Sequence, residues 1–216
     1  YRTADEEHLL AVVAHHIVSD GASTELLIHE VTTISLALAL GRPAALPPLS
    51  CQYSAYAAWQ HAQFANGSLG AQLAYWRHAL EAMPGVLGLP TDHPRGPMRH
   101  TGTKLEYPLA GIRHEQVAAL AAAHETTAFT VLLAAFNTLL ARYAGSADIV
   151  VGTPVNHRPL AEFEPLIGFF VNTLVLRTRM DGDPPFATVV DRTRRTCVDA
   201  MANRDVPFEL LVQELN

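Results

Sequence analysis

The segment from His8 to Val18 constrains this chain most. It reads HLLAVVAHHIV, a nearly continuous apolar and β-branched run. Such a run is the pattern of a central strand buried on both faces. It ends in Ser19-Asp20-Gly21, a turn signal. A helical pattern follows, with Leu27, Val31, Ile34 and Leu38 recurring at spacings of four, three and four. Ser23 is the expected N-cap, and Glu25 suits the positive end of the helix dipole. Gly41 and Pro43 are placed to stop the helix. The opening therefore reads as strand, tight turn and helix, with His15-His16-Ile17-Val18-Ser19-Asp20-Gly21 at the junction.

The rest of the chain alternates helical and extended patterns. Residues 42–49 are Pro-rich and irregular. Helices are predicted over 53–64 and 69–83, separated by Asn66, Gly67 and Ser68. That separation divides the chain into 1–65 and 66–216. Residues 84–102 carry four prolines among several glycines and read as an extended connection. A strand is expected over 104–109, then helices over 112–124 and 129–143. Thr126 or Thr127 caps the second of these and Gly145 ends it. A short strand over 148–151, a loop over 153–166 and an alternating strand over 169–179 follow. A helix over 186–202 and a last one opened by Pro207 complete an α/β order.

The chemistry concentrates at the His15-His16 pair. A His ending a rigid strand before a tight turn projects into a cleft, where a general base is best held. Adjacent residues of a strand face opposite ways, so one His faces the cleft and the other is structural. Asp20 can fold back through the turn or pair with an Arg elsewhere, and Gly21 permits a close turn. Against this stands the ordinary reading of a His in an apolar run, a satisfied core residue. A metal site is disfavoured, because His8, His15, His16 and His29 lack further ligands at zinc spacing.

Composition removes other classes. With 15 Lys plus Arg against 21 Asp plus Glu, the net charge is −6 and no basic stripe appears, so nucleic acid is not an expected partner. Two distant cysteines, Cys51 and Cys197, form no disulfide framework, and a reducing cytoplasm is the expected setting. The first residues lack a signal peptide's basic start and apolar run. No apolar stretch approaches the roughly 20 residues that span a bilayer. The chain begins without Met, close to its first strand, and reads as a piece of something longer.

Six segments, in order, resemble one family. HHIVSDG is similar to the HHxxxDG signature of nonribosomal peptide synthetase condensation domains. Residues 53–60, YSAYAAWQ, resemble the family's YxxYAxWQ, and Ala74-Tyr75-Trp76 its next landmark. Residues 152–158, GTPVNHR, resemble GTPVAGR, and residues 167–174, IGFFVNTL, resemble IGxFVNT. Residues 203–209, NRDVPFE, resemble HQDxPFE. His157 departs from the family's usual Gly, and Asn203-Arg204 from its commoner His-Gln. Epimerisation and heterocyclisation relatives fit less well, because this sequence lacks the Trp-Arg pair of the former and has His15 where the latter have Asp.

The resemblance implies a chloramphenicol-acetyltransferase-like two-lobe fold around a tunnel, truncated at both ends. Residues 1–65 would end the first lobe, and 66–216 would hold the linker and much of the second. It implies amide-bond formation between two thioesters delivered on the phosphopantetheine arms of donor and acceptor carrier proteins, with neighbouring synthetase domains as further partners. No cofactor of the chain's own and no membrane is implied. His16 would be catalytic, His15, Asp20 and Gly21 motif-structural, and Arg158 and Asn172 channel residues. The family's Asp pairs with an Arg of an early motif, expected upstream of Tyr1. An acyl-CoA-dependent acyltransferase of the same superfamily and a non-catalytic docking piece are the alternatives.

Overall fold

The computed structural model describes residues 1–94, 96, 102–109 and 111–215. The chain divides into two compact units, Tyr1–Ala71 with Pro154–Asn172, and Gln72–Thr153 with Thr173–Asn216.

In the first unit a small antiparallel hairpin joins β1 (Arg2–Ala4) and β2 (Glu7–His8), both exposed. The buried strand expected over 8–18 does not form. Residues 10–15 are irregular and exposed, Val13 at 97%, and His16–Val18 make one 3-10 turn. A strand buried on both faces needs a ladder partner on each side, and among the described residues no strand pairs with 10–15.

The helix forms as its periodicity predicts, as α1 (Gly21–Ala39), with Leu40 at its end and Gly41 at φ 63°. Its N-cap is Asp20, whose carboxylate accepts the Ser23 N–H at 2.8 Å. The expected cap, Ser23, is instead a buried residue of the first turn. Helix α2 (Tyr53–Ala65) follows, with Tyr56 buried against Phe163, Leu166 and Phe170.

The second unit is built on α3 (Gly70–Ala79), α4 (His114–Ala123) and α5 (Ala128–Ala144). As expected, Thr127 caps α5 and Gly145, in the left-handed region, ends it. Strands β3 (Asp148–Asn156) and β4 (Val171–Arg179) pair. The pairing is antiparallel: His157 N–H donates to Phe170 O at 2.7 Å and Met180 N–H to Ala147 O at 2.7 Å. This ladder carries β3 past residue 151, where its apolar pattern stops. Alternate β4 residues Asn172, Leu174, Leu176 and Thr178 are buried. Helices α6 (Phe186–Ala202) and α7 (Phe208–Leu215) end the chain. The unit's core joins Ala134, Ile149 and Val190, all fully buried, with Val131 and Val189.

Two further expectations are corrected here. Helix α3 stops at Ala79 because Arg177 of β4 takes the carbonyls of Ala79 and Glu81 at 3.1 and 2.8 Å. The same guanidinium binds Asp148 at 2.6 Å and holds its carboxyl below the usual range. Residues 104–109 form no strand, and Leu105 and Tyr107 are about nine-tenths exposed. Two family-like segments meet in this unit. Trp76 donates to Asn203 O at 2.8 Å, and Gln72 both donates to Asp205 and accepts its N–H. Among the described residues no single helix is long and apolar enough to cross a membrane.

Candidate active site

The two histidines of HHIVSDG are separated by a turn rather than by the faces of a strand. His15 precedes the 3-10 turn, and its Nδ1 accepts the Ile17 N–H at 3.1 Å. Its other nitrogen therefore carries the proton when the ring is neutral. His16 is the reverse case. Its Nδ1 lies 2.7 Å from Ser19 O, and a carbonyl can only accept, so Nδ1 carries the hydrogen. The lone pair of neutral His16 is then on Nε2. Its ring meets Phe169 edge-on at 5.3 Å. His16 is exposed and lines a cavity of about 710 Å³ together with Val12, Gly21, Thr24, Leu27 and Val31. The cavity is mostly apolar and reaches the positive end of α1.

Asp20 is buried, and four hydrogen bonds converge on its carboxylate. Besides Ser23 N–H, it accepts Phe170 N–H at 2.9 Å and two Arg158 bonds at 3.2 and 3.3 Å. Burial alone would raise the Asp20 pKa; the hydrogen bonds from Ser23, Phe170 and Arg158 outweigh it and hold the carboxyl below its ordinary value. The Arg partner expected upstream of Tyr1 is thus found within the chain, as Arg158. This guanidinium also donates to Asn156 Oδ1 at 2.6 Å, Ser23 Oγ at 3.0 Å and Leu166 O at 3.2 Å, and it lies 4.0 Å over the Phe170 ring. Arg158 and Asn172 are not among the residues lining the His16 cavity. Asn172 is buried on β4.

Gly21 adopts no left-handed conformation, and a Cβ there would meet nothing within 4 Å. The turn itself therefore does not require glycine, and Gly21 is part of the cavity wall.

The roles of two residues escaped the sequence reading. Ser23 donates to Gly168 O at 2.7 Å and accepts Gly168 N–H at 3.0 Å, locking HHIVSDG to the 167–174 segment. The signal was a small polar residue three after Asp20, on the inner side of the helix. Gly168 is the second. A Cβ there would fall 2.2 Å from Tyr53 Cδ2. The Tyr53 ring packs on its bare Cα, and the phenol donates to Phe169 O at 2.8 Å. Gly168→Ala is expected to cost about 1–3 kcal/mol by forcing the ring aside. A denaturant midpoint equal to wild type would refute that close approach.

Four family-like segments thus converge in the first unit, and two in the second. The condensation-domain family model matches residues 1–216. The chain is 42% identical over 213 residues to a linear gramicidin synthase of Brevibacillus parabrevis, covering 98% of this chain and 3% of that protein. It is 41% identical over 210 residues to malpibaldin synthetase of Mortierella alpina, covering 97% of this chain and 4% of that protein. The chain therefore spans only a few per cent of the length of these relatives. A solved first condensation domain of the calcium-dependent antibiotic synthetase, in complex with a substrate analogue, superposes with a TM-score of 0.79 at 27% identity, over 94% of this chain and 44% of that one. The expected two-lobe α/β fold is thus that of solved condensation domains, of which the chain spans about half. Sequence match, shared fold and the convergence of HHIVSDG with the 152–174 segments agree that this chain belongs to the condensation-domain family.

Proposed function

We propose that this chain forms amide bonds in nonribosomal peptide synthesis, joining a donor acyl thioester to the amine of an acceptor aminoacyl thioester. Both reactants arrive on the phosphopantetheine arms of carrier proteins, beside neighbouring synthetase domains in the cytoplasm. The observation that carries this reading is His16. Its Nδ1 is committed to Ser19 O, which leaves Nε2 as the proton acceptor of a side chain that lines a mostly apolar cavity.

The acceptor amine attacks the thioester carbonyl, and a C–N bond forms as the C–S bond breaks. His16 Nε2 takes a proton from the amine nitrogen and returns it to the departing thiolate, so amide and thiol are the only products. A thioester is already activated, so holding both reactants together supplies much of the acceleration, with effective molarities of about 10⁵ M or more for good geometry. His15 and Asp20 shape the turn, and Gly21 leaves room for the acyl group. Arg158 acts on the channel indirectly, by bracing Asp20, and Asn172 acts from its buried place on β4 without lining the His16 cavity. Residues 1–65 belong to the first lobe and 66–216 to the linker and second lobe.

Mass spectrometry of a loaded acceptor carrier, mixed with a loaded donor carrier and the protein that carries this sequence, tests the reading. Dipeptide on the acceptor carrier supports it. Acyl transfer from free CoA thioesters without a donor carrier would favour an acyltransferase of the same superfamily instead.

A further inference from the structure

We propose that His157, where the resembling family motif has Gly, is a positioning residue for His16. Its imidazole is 2% exposed, and Nδ1 lies 3.1 Å from the Tyr56 hydroxyl of α2. Trp59 covers the ring at a centroid distance of 5.8 Å. The consequence follows the chain outward in both directions. The His157 N–H binds Phe170 O at 2.7 Å, and the Phe170 N–H binds Asp20 at 2.9 Å. The next residue, Arg158, closes the circuit on the same carboxylate. On the other side, Phe169 O is held by Tyr53, one helical turn before Tyr56, and the Phe169 ring bears on His16.

The His157–Tyr56 contact therefore pins to α2 the backbone on which both supports of His16 bear: its Phe170 N–H is held by Asp20, and Phe169 is the residue before it. One support is Asp20, which caps α1 directly after the turn; the other is Phe169, whose ring meets the imidazole. With glycine at 157 the strand end would lose this tie to α2 and keep only its main-chain bonds and those of Arg158. His157 touches no reactant. It sets how narrowly the His16 ring is oriented, and a misplacement of about 1 Å at a reacting group can cost about a hundredfold in rate.

The activity arm of the test rests on the condensation reading above; the spectroscopic arm does not. Tyr56→Phe, His157→Ala and His157→Asn are compared with wild type. The readouts are dipeptide formation and the ring-nitrogen resonances of ¹⁵N-labelled His16. Tyr56→Phe removes one oxygen and keeps the ring, so it carries the test even where His157→Ala folds poorly. Each of these two variants is expected to lower kcat about tenfold at unchanged KM, as loss of one buried hydrogen bond implies. Together they should cost little more than either alone. His157→Asn places an amide near the Nδ1 position and should recover to within about threefold, since the same hydrogen bond is restored. The His16 resonances should shift in the first two variants and return in the third. Unshifted His16 resonances in Tyr56→Phe, or an Asn variant as perturbed as the Ala variant, would overturn the proposal. A wild-type protein that makes no dipeptide would count against the condensation reading alone, and the resonances would then decide on His157.

Discussion

Asp20→Asn is expected to destabilise the unit that contains it by about 3–5 kcal/mol, although the two side chains are nearly the same shape. The substitution leaves the Arg158 guanidinium buried, its side chain 1% exposed, without its carboxylate. Surface ion pairs contribute about 1 kcal/mol or less. This pair differs because Asp20 is also the cap of α1 and the acceptor for Phe170 N–H. Removing its charge weakens three attachments at once. Urea unfolding measures the effect, and a loss below about 1 kcal/mol would show that the node behaves like a surface pair. Adding Arg158→Met should recover part of the loss, because the unpaired charge is then gone.

The same node sets an acid limit. The folded-state pKa of Asp20 is depressed, so the folded form binds this proton less readily than the unfolded chain. Its contribution is complete above the ordinary carboxylate pKa of about 3.9 and is lost as pH falls through the depressed folded value. Asp148, depressed by Arg177, acts in the same direction. Stability should therefore fall on acidification below the ordinary carboxylate range, and Asp20→Asn should flatten part of that fall.

His16→Ala is expected to lower amide formation by about 10²–10⁴-fold, the range of a positioned general base. It should move stability by less than about 0.5 kcal/mol, the norm for a surface change. The side chain is exposed, and its hydrogen bond to Ser19 O is local. This pairing of effects distinguishes His16 from Asp20, whose loss is expected to act first on folding. Single-turnover assays with loaded carriers provide the rate, and the same urea series provides the stability. A His16→Ala protein that condenses at the wild-type rate would remove His16 from the mechanism. His15→Ala removes an acceptor for Ile17 N–H rather than the Nε2 base and should be the milder change.

Periodicity determined much of the local structure by itself. Helices α1, α2, α5 and α6 follow from apolar spacing and from Gly or Pro at their ends, which are properties of a few neighbouring residues. The alternation of β4 foretold two distinct faces, and packing chose the one with Asn172, Leu174, Leu176 and Thr178 to bury. The order of six short segments was enough to indicate the family, because each segment is a local string. His16 was named as the candidate base from one of those same strings.

Tertiary structure decided what depends on distant partners. The run 8–18 has a strand's composition, yet composition supplies no ladder, and among the described residues no strand lies beside 10–15. Ser23 lost the capping role to Asp20 because Gly168, 145 residues away in sequence, claims its hydroxyl. The partner of Asp20 was sought in another segment altogether. Nothing within residues 153–166 marks Arg158 as the cation that reaches it. Glycine at 168 was read only as part of a family-like string, but the Tyr53 ring lying on its Cα is what demands it. Short-range spacing is written in the chain because backbone geometry repeats over three or four residues. The pairing of one buried charge with another depends on which segments pack together, and only the folded chain fixes that.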